Sequence, residues 1–249
     1  MAKGSELPGA SGPPSSCPKY AGGSAQGARG AAPPSPARRL LETLDHHALT
    51  ALGILPPDPE FCPPTAQILV LVGPQGGKRW WHSLQASAEW QDGGPDPIDC
   101  WSKRILGAIA LSFGGTALFP SDGPPYPPFL HWARRSGHLW QSPVGMLVHA
   151  DAGLWVSFRG ALALPFPVSL PAKTNPCDSC AGQPCLTACP VTALGPLGYD
   201  TSACHSFLDS PAGRDCMSRG CRARRACPCG ESHARLDDQS AYHMRQFHP

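Results

Sequence analysis

Apolar positions between residues 37 and 165 recur with two different periods. In "ARRLLETLDHHALTALGI", Leu40, Leu41, Leu44, Ala48 and Leu52 return at helical spacing, which predicts a helix. "AQILVLVG" (66–73) is a continuous apolar run closing on glycine, the pattern of a buried strand. "KRWWHSLQASAEW" fits a helix in period but is polar and aromatic enough to read as a surface segment. "DPIDCWSKRILGAIALSF" predicts a firm helix: Asp96 stands at the cap, Pro97 at the first helical position, and Ile98, Trp101, Ile105, Ile109 and Phe113 make one stripe. "TALFP" reads as a strand, and "PPYPPFLHWARRSG" as a turn entering a helix that stops at Gly137. "GMLVHADAGLWVSFRGALALP" (145–165) predicts a β-hairpin folded about "ADAG".

These alternating elements imply an α+β layer architecture. Residues 1–36, dominated by Gly, Ala, Ser and Pro, bury too little apolar surface to offset chain entropy and read as a disordered tail. The chain then divides into an α+β domain over residues 37–170 and a cysteine-rich domain with its tail over residues 171–249. The linker of residues 166–176 carries Pro167, Pro171 and Pro176. No internal repeat is visible outside the cysteines.

Charge changes this picture little. A formal net charge of +2 on 249 residues gives no global field toward nucleic acid or membrane. No apolar run is long enough to span a bilayer, and "MAKGSELPGASGPPSS" lacks a secretory apolar core. The expectation is a cytoplasmic protein, where clustered thiols bind metal more often than they form disulfides.

Cysteine placement changes the picture most. Of 12 cysteines, nine lie between Cys177 and Cys229, while Cys17, Cys62 and Cys100 are scattered and read as ordinary thiols. The order is Cys177-x2-Cys180-x4-Cys185-x3-Cys189-Pro190, then Cys204, and then Cys216-x4-Cys221-x5-Cys227-Pro228. Four thiolates in such a run suit an iron–sulfur cluster, and Cys-Pro closes each half.

The halves resemble a two-cluster bacterial ferredoxin, in which the cysteine before proline reaches the other cluster. That resemblance implies Cys177, Cys180, Cys185 and Cys227 on one [4Fe-4S] cluster. It implies Cys189, Cys204, Cys216 and Cys221 on the second, with Cys229 left over. The x4 spacing and the eleven residues between Cys204 and Cys216 depart from the usual pattern. The alternative is zinc, which also takes four cysteines, although "ACPVTAL" resembles a ferredoxin helix.

"TSACHSFLDSP", followed by a cysteine pair and Cys-Pro, resembles epoxyqueuosine reductase, where a cobalamin domain precedes a two-cluster ferredoxin domain. "DPIDCWSKRILGAI" and "SPVGMLVHADAGLWVSFRGALALP" look like segments of CblC-type cobalamin-processing proteins, whose fold is nitroreductase-like. These likenesses imply cobalamin, or a flavin in its place, in the upstream domain, with Arg159 beside it. The implied function is electron transfer through two clusters to a corrinoid. The alternatives are a ferredoxin-type carrier or adaptor without catalysis, and a zinc-stapled interaction protein. "FPSDGPPYPPFLHW" reads equally as a flat cofactor face or as a connecting loop.

Each histidine reads first as a surface or hydrogen-bonded residue, His149 being the best placed for a ligand role. Arg214, Arg219, Arg222, Arg224 and Arg225 face Asp215 alone in the sequence. They read as compensation for cluster charge, then as a dock for an acidic donor such as a flavodoxin or ferredoxin, or as a contact for RNA phosphates. "DDQSAYHMRQFHP" reads as a closing helix anchored by Tyr242 and Phe247. "VGPQGGK" lacks phosphate-loop spacing, and no Ser-His-Asp arrangement follows from spacing.

Overall fold

The computed structural model describes residues 34–195 and 198–249; the tail of residues 1–33, with Cys17, lies outside them. Helix α1 (Pro36–His46) starts where Ser35 accepts the Arg38 N–H on its hydroxyl (3.2 Å) and proline takes the first turn. It is followed by β1 (Leu49–Leu55), β2 (Ile68–Pro74), α2 (Lys78–Gln85), α3 (Ala88–Gln91) and α4 (Pro97–Ser112). Next come β3 (Thr116–Leu118), α5 (Phe129–Arg135), β4 (Leu139–Gln141), β5 (Leu147–His149) and β6 (Gly160–Leu164).

Strands β1, β2, β6 and β3 form one antiparallel sheet in that order. Its middle strands are buried on both faces. Val70, Val72, Leu162 and Leu164 face α1, α2 and α4, while Leu69, Leu71, Ala161 and Ala163 face α5 and Leu139. A strand covered on both sides has no polar face to expose, which is why "ILVLV" shows no alternation. Mixed helix and sheet was the expected class.

Several local expectations are corrected. The first helix stops at His46, and Ala48 takes a left-handed φ of 54°, so Leu52 belongs to a strand. That strand bulges between Ala51 and Gly53, which moves its inward parity from Leu49 to Ile54 and mimics a helical repeat in the sequence. "KRWWHSLQASAEW" is core: Trp80 and Trp81 are buried against Trp101 and Trp90. Asp96 precedes α4 but has a φ of 51° and makes no capping bond, leaving Pro97 to start the helix. The stripe of α4 is otherwise as expected, joined by Leu106.

The hairpin of residues 145–165 does not form. Strand β5 pairs with β4, β6 pairs with β2 and β3, and only a single bridge, His149 to Gly153, closes the "ADAG" turn. Residues between the two strands cross from one sheet to the other, burying Leu154 and Trp155 on the way. Around "FPSDGPPYPPFLHW", Phe129 and Trp132 are core and Tyr126 is exposed, so this segment is a connecting loop with core aromatics.

The remaining elements are short: β7 (Leu194–Gly195), β8 (Gly198–Tyr199), α6 (Thr201–Leu208), α7 (Arg214–Arg219), α8 (Arg222–Arg225) and α9 (Asp237–Phe247), with three-residue 3-10 turns between. "ACPVTAL" is turn and strand rather than helix. Helix α9 ties this end to the body. The Trp81 indole N–H donates to Asp238 (2.8 Å), Tyr242 packs on Trp81 and Trp90, and the Gly77 N–H donates to the His233 carbonyl (2.8 Å). Among the described residues no helix is long and apolar enough to cross a membrane.

Candidate functional site

The cysteine-rich end folds so that its thiols separate into two groups. Cys177 is fixed by Asn175, whose side-chain oxygen accepts the Cys177 N–H (3.1 Å) and whose amide donates to Asp178 (2.8 Å). Cys185 lies in the 3-10 turn Pro184–Leu186, and Cys227 starts the turn Pro228–Gly230. Cys177, Cys180, Cys185, Cys227 and Cys229 line one small cavity with Val148 and Leu154. Burial, and then the fields of Cys227, Cys185, Cys180 and Cys229, push the Cys177 thiol up to about 11. Such mutual repulsion arises only between neighbouring thiols and is relieved when a cation takes the protons' place.

Cys189, Cys204, Cys216 and Cys221 line a second cavity of about 390 Å³. Cys204 comes from α6, Cys216 from α7, and Cys221 from the residue that opens α8. The Cys204 thiol is raised by burial, with Cys221 and Cys189 adding to the rise and a hydrogen bond from the Tyr199 hydroxyl opposing it. The Ala193 N–H donates to the Cys189 sulfur (3.3 Å). Helix α8 joins the groups, with Cys221 capping its start and Cys227 two residues past its end.

Cys177, Cys180, Cys185 and Cys227 thus line one cavity and Cys189, Cys204, Cys216 and Cys221 the other, with Cys229 beside the first group. All eight are free thiols, as are Cys229 and the buried Cys62, whereas Cys100 is disulfide-bonded and so is not the ordinary thiol expected. Among the described residues no three His, Cys, Asp or Glu side chains converge tightly enough for one metal ion.

Other expected residues sit elsewhere. Arg159 donates to the Ser157 hydroxyl (2.8 Å) and its guanidinium carbon lies 5.7 Å from the Trp80 ring, itself buried. Its Nε is shut off from solvent without a partner, burial lowers it to about 10, and it lines none of the cavities described here. His149 is a turn staple, its Nδ1 accepting the N–H groups of Asp151 and Ala152 (3.2 Å each). Arg222 and Arg225 both donate to Asp215, Arg219 donates to Asp237, and Arg224 donates to the Leu154 carbonyl. Much of the arginine excess is thus neutralised locally.

Sequence reasoning missed the wall opposite chemistry of this kind. Trp155 is wedged between Gly220 and Gly230: a side chain at either glycine would meet its indole at 3.1 or 2.9 Å. Arg235, Ser240 and His243 join it in lining the second cavity. Lone residues in a tail carry no spacing signal, and only the tertiary fold assembles them. No protein-family model and no curated protein matches the chain.

Proposed function

We propose that this protein is an iron–sulfur electron-transfer protein carrying two [4Fe-4S] clusters. The observation that carries the reading is that nine cysteines line two cavities, five in one and four in the other, with Cys227 and Cys229 joining the earlier run and Cys189 joining the later one. Zinc requires four sulfurs about 2.3 Å from a single ion. A cubane instead gives each thiolate its own iron. When bound, such clusters accept and release single electrons.

The protein's own part is positioning and tuning. Helix α8 lies between the two groups, with Cys221 of one capping its start and Cys227 of the other just past its end. The Tyr199 hydroxyl on Cys204 and the Ala193 N–H on Cys189 donate hydrogen bonds to sulfur, which favour the reduced, more negative state. Val144, Val148, Leu154 and Ala223 keep water from the first group.

Cobalamin does not share this support. Arg159 is held under Trp80 and lines neither of the thiol cavities, and the second cavity is already walled by thiols. The test of the two-cluster reading is iron, zinc and acid-labile sulfide in protein purified without oxygen. Two cubanes require about eight iron and eight sulfide per chain; zinc without sulfide overturns the reading.

A further inference from the structure

We propose that the second thiol group holds the higher-potential cluster of the two, and that Arg235 sets this order through its charge. The inference rests on the two-cluster reading and adds where an electron comes to rest. Its basis is a difference in charge between the two cavities. Among the described residues the second is lined by Arg222, Arg224 and Arg235 and by no carboxylate. The first has no charged side chain in its wall: beyond its cysteines it is lined by Ser142, Gln183, Val148, Leu154 and four prolines. A four-thiolate cubane gains one negative charge on reduction, so a fixed cation beside it favours the reduced form and raises its potential.

Arg235 is fixed where its charge is felt. Its guanidinium carbon lies 5.3 Å from the Trp155 ring, on the cavity wall, and its Nε is buried without a hydrogen-bond partner among the described residues. Ser240 lines the same wall at 2 % exposure, its hydroxyl likewise unpartnered. Buried donors are rarely left unused. An anionic cluster among Cys189, Cys204, Cys216 and Cys221 supplies the acceptor that both lack, so these residues fit the group. Burial, and then the charges of Arg224 and Arg159, lower Arg235 only to about 9, with Asp238 opposing them. Arg235 is therefore a cation at neutral pH. Asp238 is engaged elsewhere, accepting the Trp81 indole N–H and the Gln239 N–H (2.8 Å each).

The other groups around the two cavities do not reverse the difference. Asp215 acts on Cys216, but it accepts from both Arg222 and Arg225, so two guanidiniums stand against one carboxylate. His243 is held neutral by burial and by Arg235, Arg159 and Arg224, and adds no charge. On the other side Asp151 acts on Cys229, yet it is paired with Lys173 (3.0 Å), which leaves the first group's surroundings close to neutral. Backbone N–H groups reach sulfur in both groups, from Leu186 at Cys185 and from Ala193 at Cys189, so fixed charge is the larger difference. An electron delivered to either group then settles on the second.

The test is a redox titration of the full chain purified without oxygen, followed by electron paramagnetic resonance, with iron and sulfide measured on the same sample. Two separate one-electron waves are expected. Arg235→Gln should lower the upper wave at least about tenfold in equilibrium constant, about 59 mV for one electron, and leave the lower wave in place. Arg235→Lys, which keeps the charge, should keep most of the native potential. Arg134→Gln removes the same charge from an exposed site on α5 and should move neither wave. Tyr199→Phe, which removes the hydroxyl bond to Cys204, marks the second group and should lower the same wave as Arg235→Gln. If Arg235→Gln fails to fold, Gln183→Lys takes its place: a cation added to the first cavity should raise the lower wave and narrow the gap. Coincident waves, an unchanged gap in Gln183→Lys, or Arg235→Gln and Tyr199→Phe acting on different waves overturn the inference. With about eight iron and eight sulfide per chain, such a result overturns this inference alone. Zinc without sulfide overturns the two-cluster reading and this inference with it.

Discussion

Leu69, Leu71, Trp80 and Trp132 in the helix-and-sheet body expose 1 % of their area or less. Among the described residues between 177 and 230 the buried apolar side chains are Cys185, Ala193, Leu194, Leu208, Cys216, Ala223 and Cys227, three of them thiols. The body has a four-stranded sheet and a 16-residue helix; the other stretch has helices of four to eight residues and strands of two. One region is specified by burial of large side chains on two faces of a sheet. The other buries too little to hold itself, in the manner of small domains that depend on cross-links or metals. The same chain thus combines a core of large apolar side chains with a segment in which thiols supply much of the buried apolar surface.

The most direct way to break this comparison is to strip metal with a chelator under reducing conditions and follow amide exchange. Residues 177–230 should lose at least about a hundredfold in protection, about 2.7 kcal/mol. Strand β2 should retain its protection. Simultaneous loss in both would show that the body, too, depends on the thiol groups.

Leu71→Ala probes the opposite side. Leu71 is fully buried in the middle of the sheet, facing α5. Its truncation should cost about 2–5 kcal/mol in denaturant unfolding. Iron and sulfide per folded chain should stay unchanged. A fall in metal content would mean that the two regions do not separate.

A smaller effect sharpens the contrast through pH. Burial, and then the charges of Arg235, Arg159 and Arg224, lower His243 from 6.5 to about 3. The folded protein therefore keeps it neutral while the unfolded chain protonates it below pH 6.5. Stability is full above that value and falls as pH drops toward 3, at most about 1.4 kcal/mol per pH unit. Between pH 6.5 and 5, before carboxylates titrate, His243→Gln should flatten the fall by about 1–2 kcal/mol. His233, lowered to about 4, adds a parallel slope that remains in the variant. An unchanged slope in His243→Gln would sink the assignment.

How much of this was legible depended on whether the signal was local. The doubly buried β2 and the stripe of α4 were plain in the residue pattern, because burial there follows a regular period. Strand β1 was not, since its bulge shifts the inward parity partway along. The hairpin misread came from two β-rich runs that pair with different sheets, a choice that sequence neighbours cannot express. The division of the thiols was legible because the cysteine-before-proline pattern encodes a crossing. Trp155, Arg235, Ser240 and His243 were not, because their convergence is made by α9 docking on the body.

Helix α9 has one more consequence. It follows every cysteine in the chain, and Ser240, His243, Met244 and Phe247 help to close the second cavity. During synthesis the thiols leave the ribosome before the segment that covers them, so they stand open until α9 has been made. Once α9 is seated, the bond from Trp81 to Asp238 and the packing of Tyr242 on Trp81 and Trp90 hold it down. Whatever enters the second group after folding is complete must therefore pass a wall to which that helix contributes four side chains.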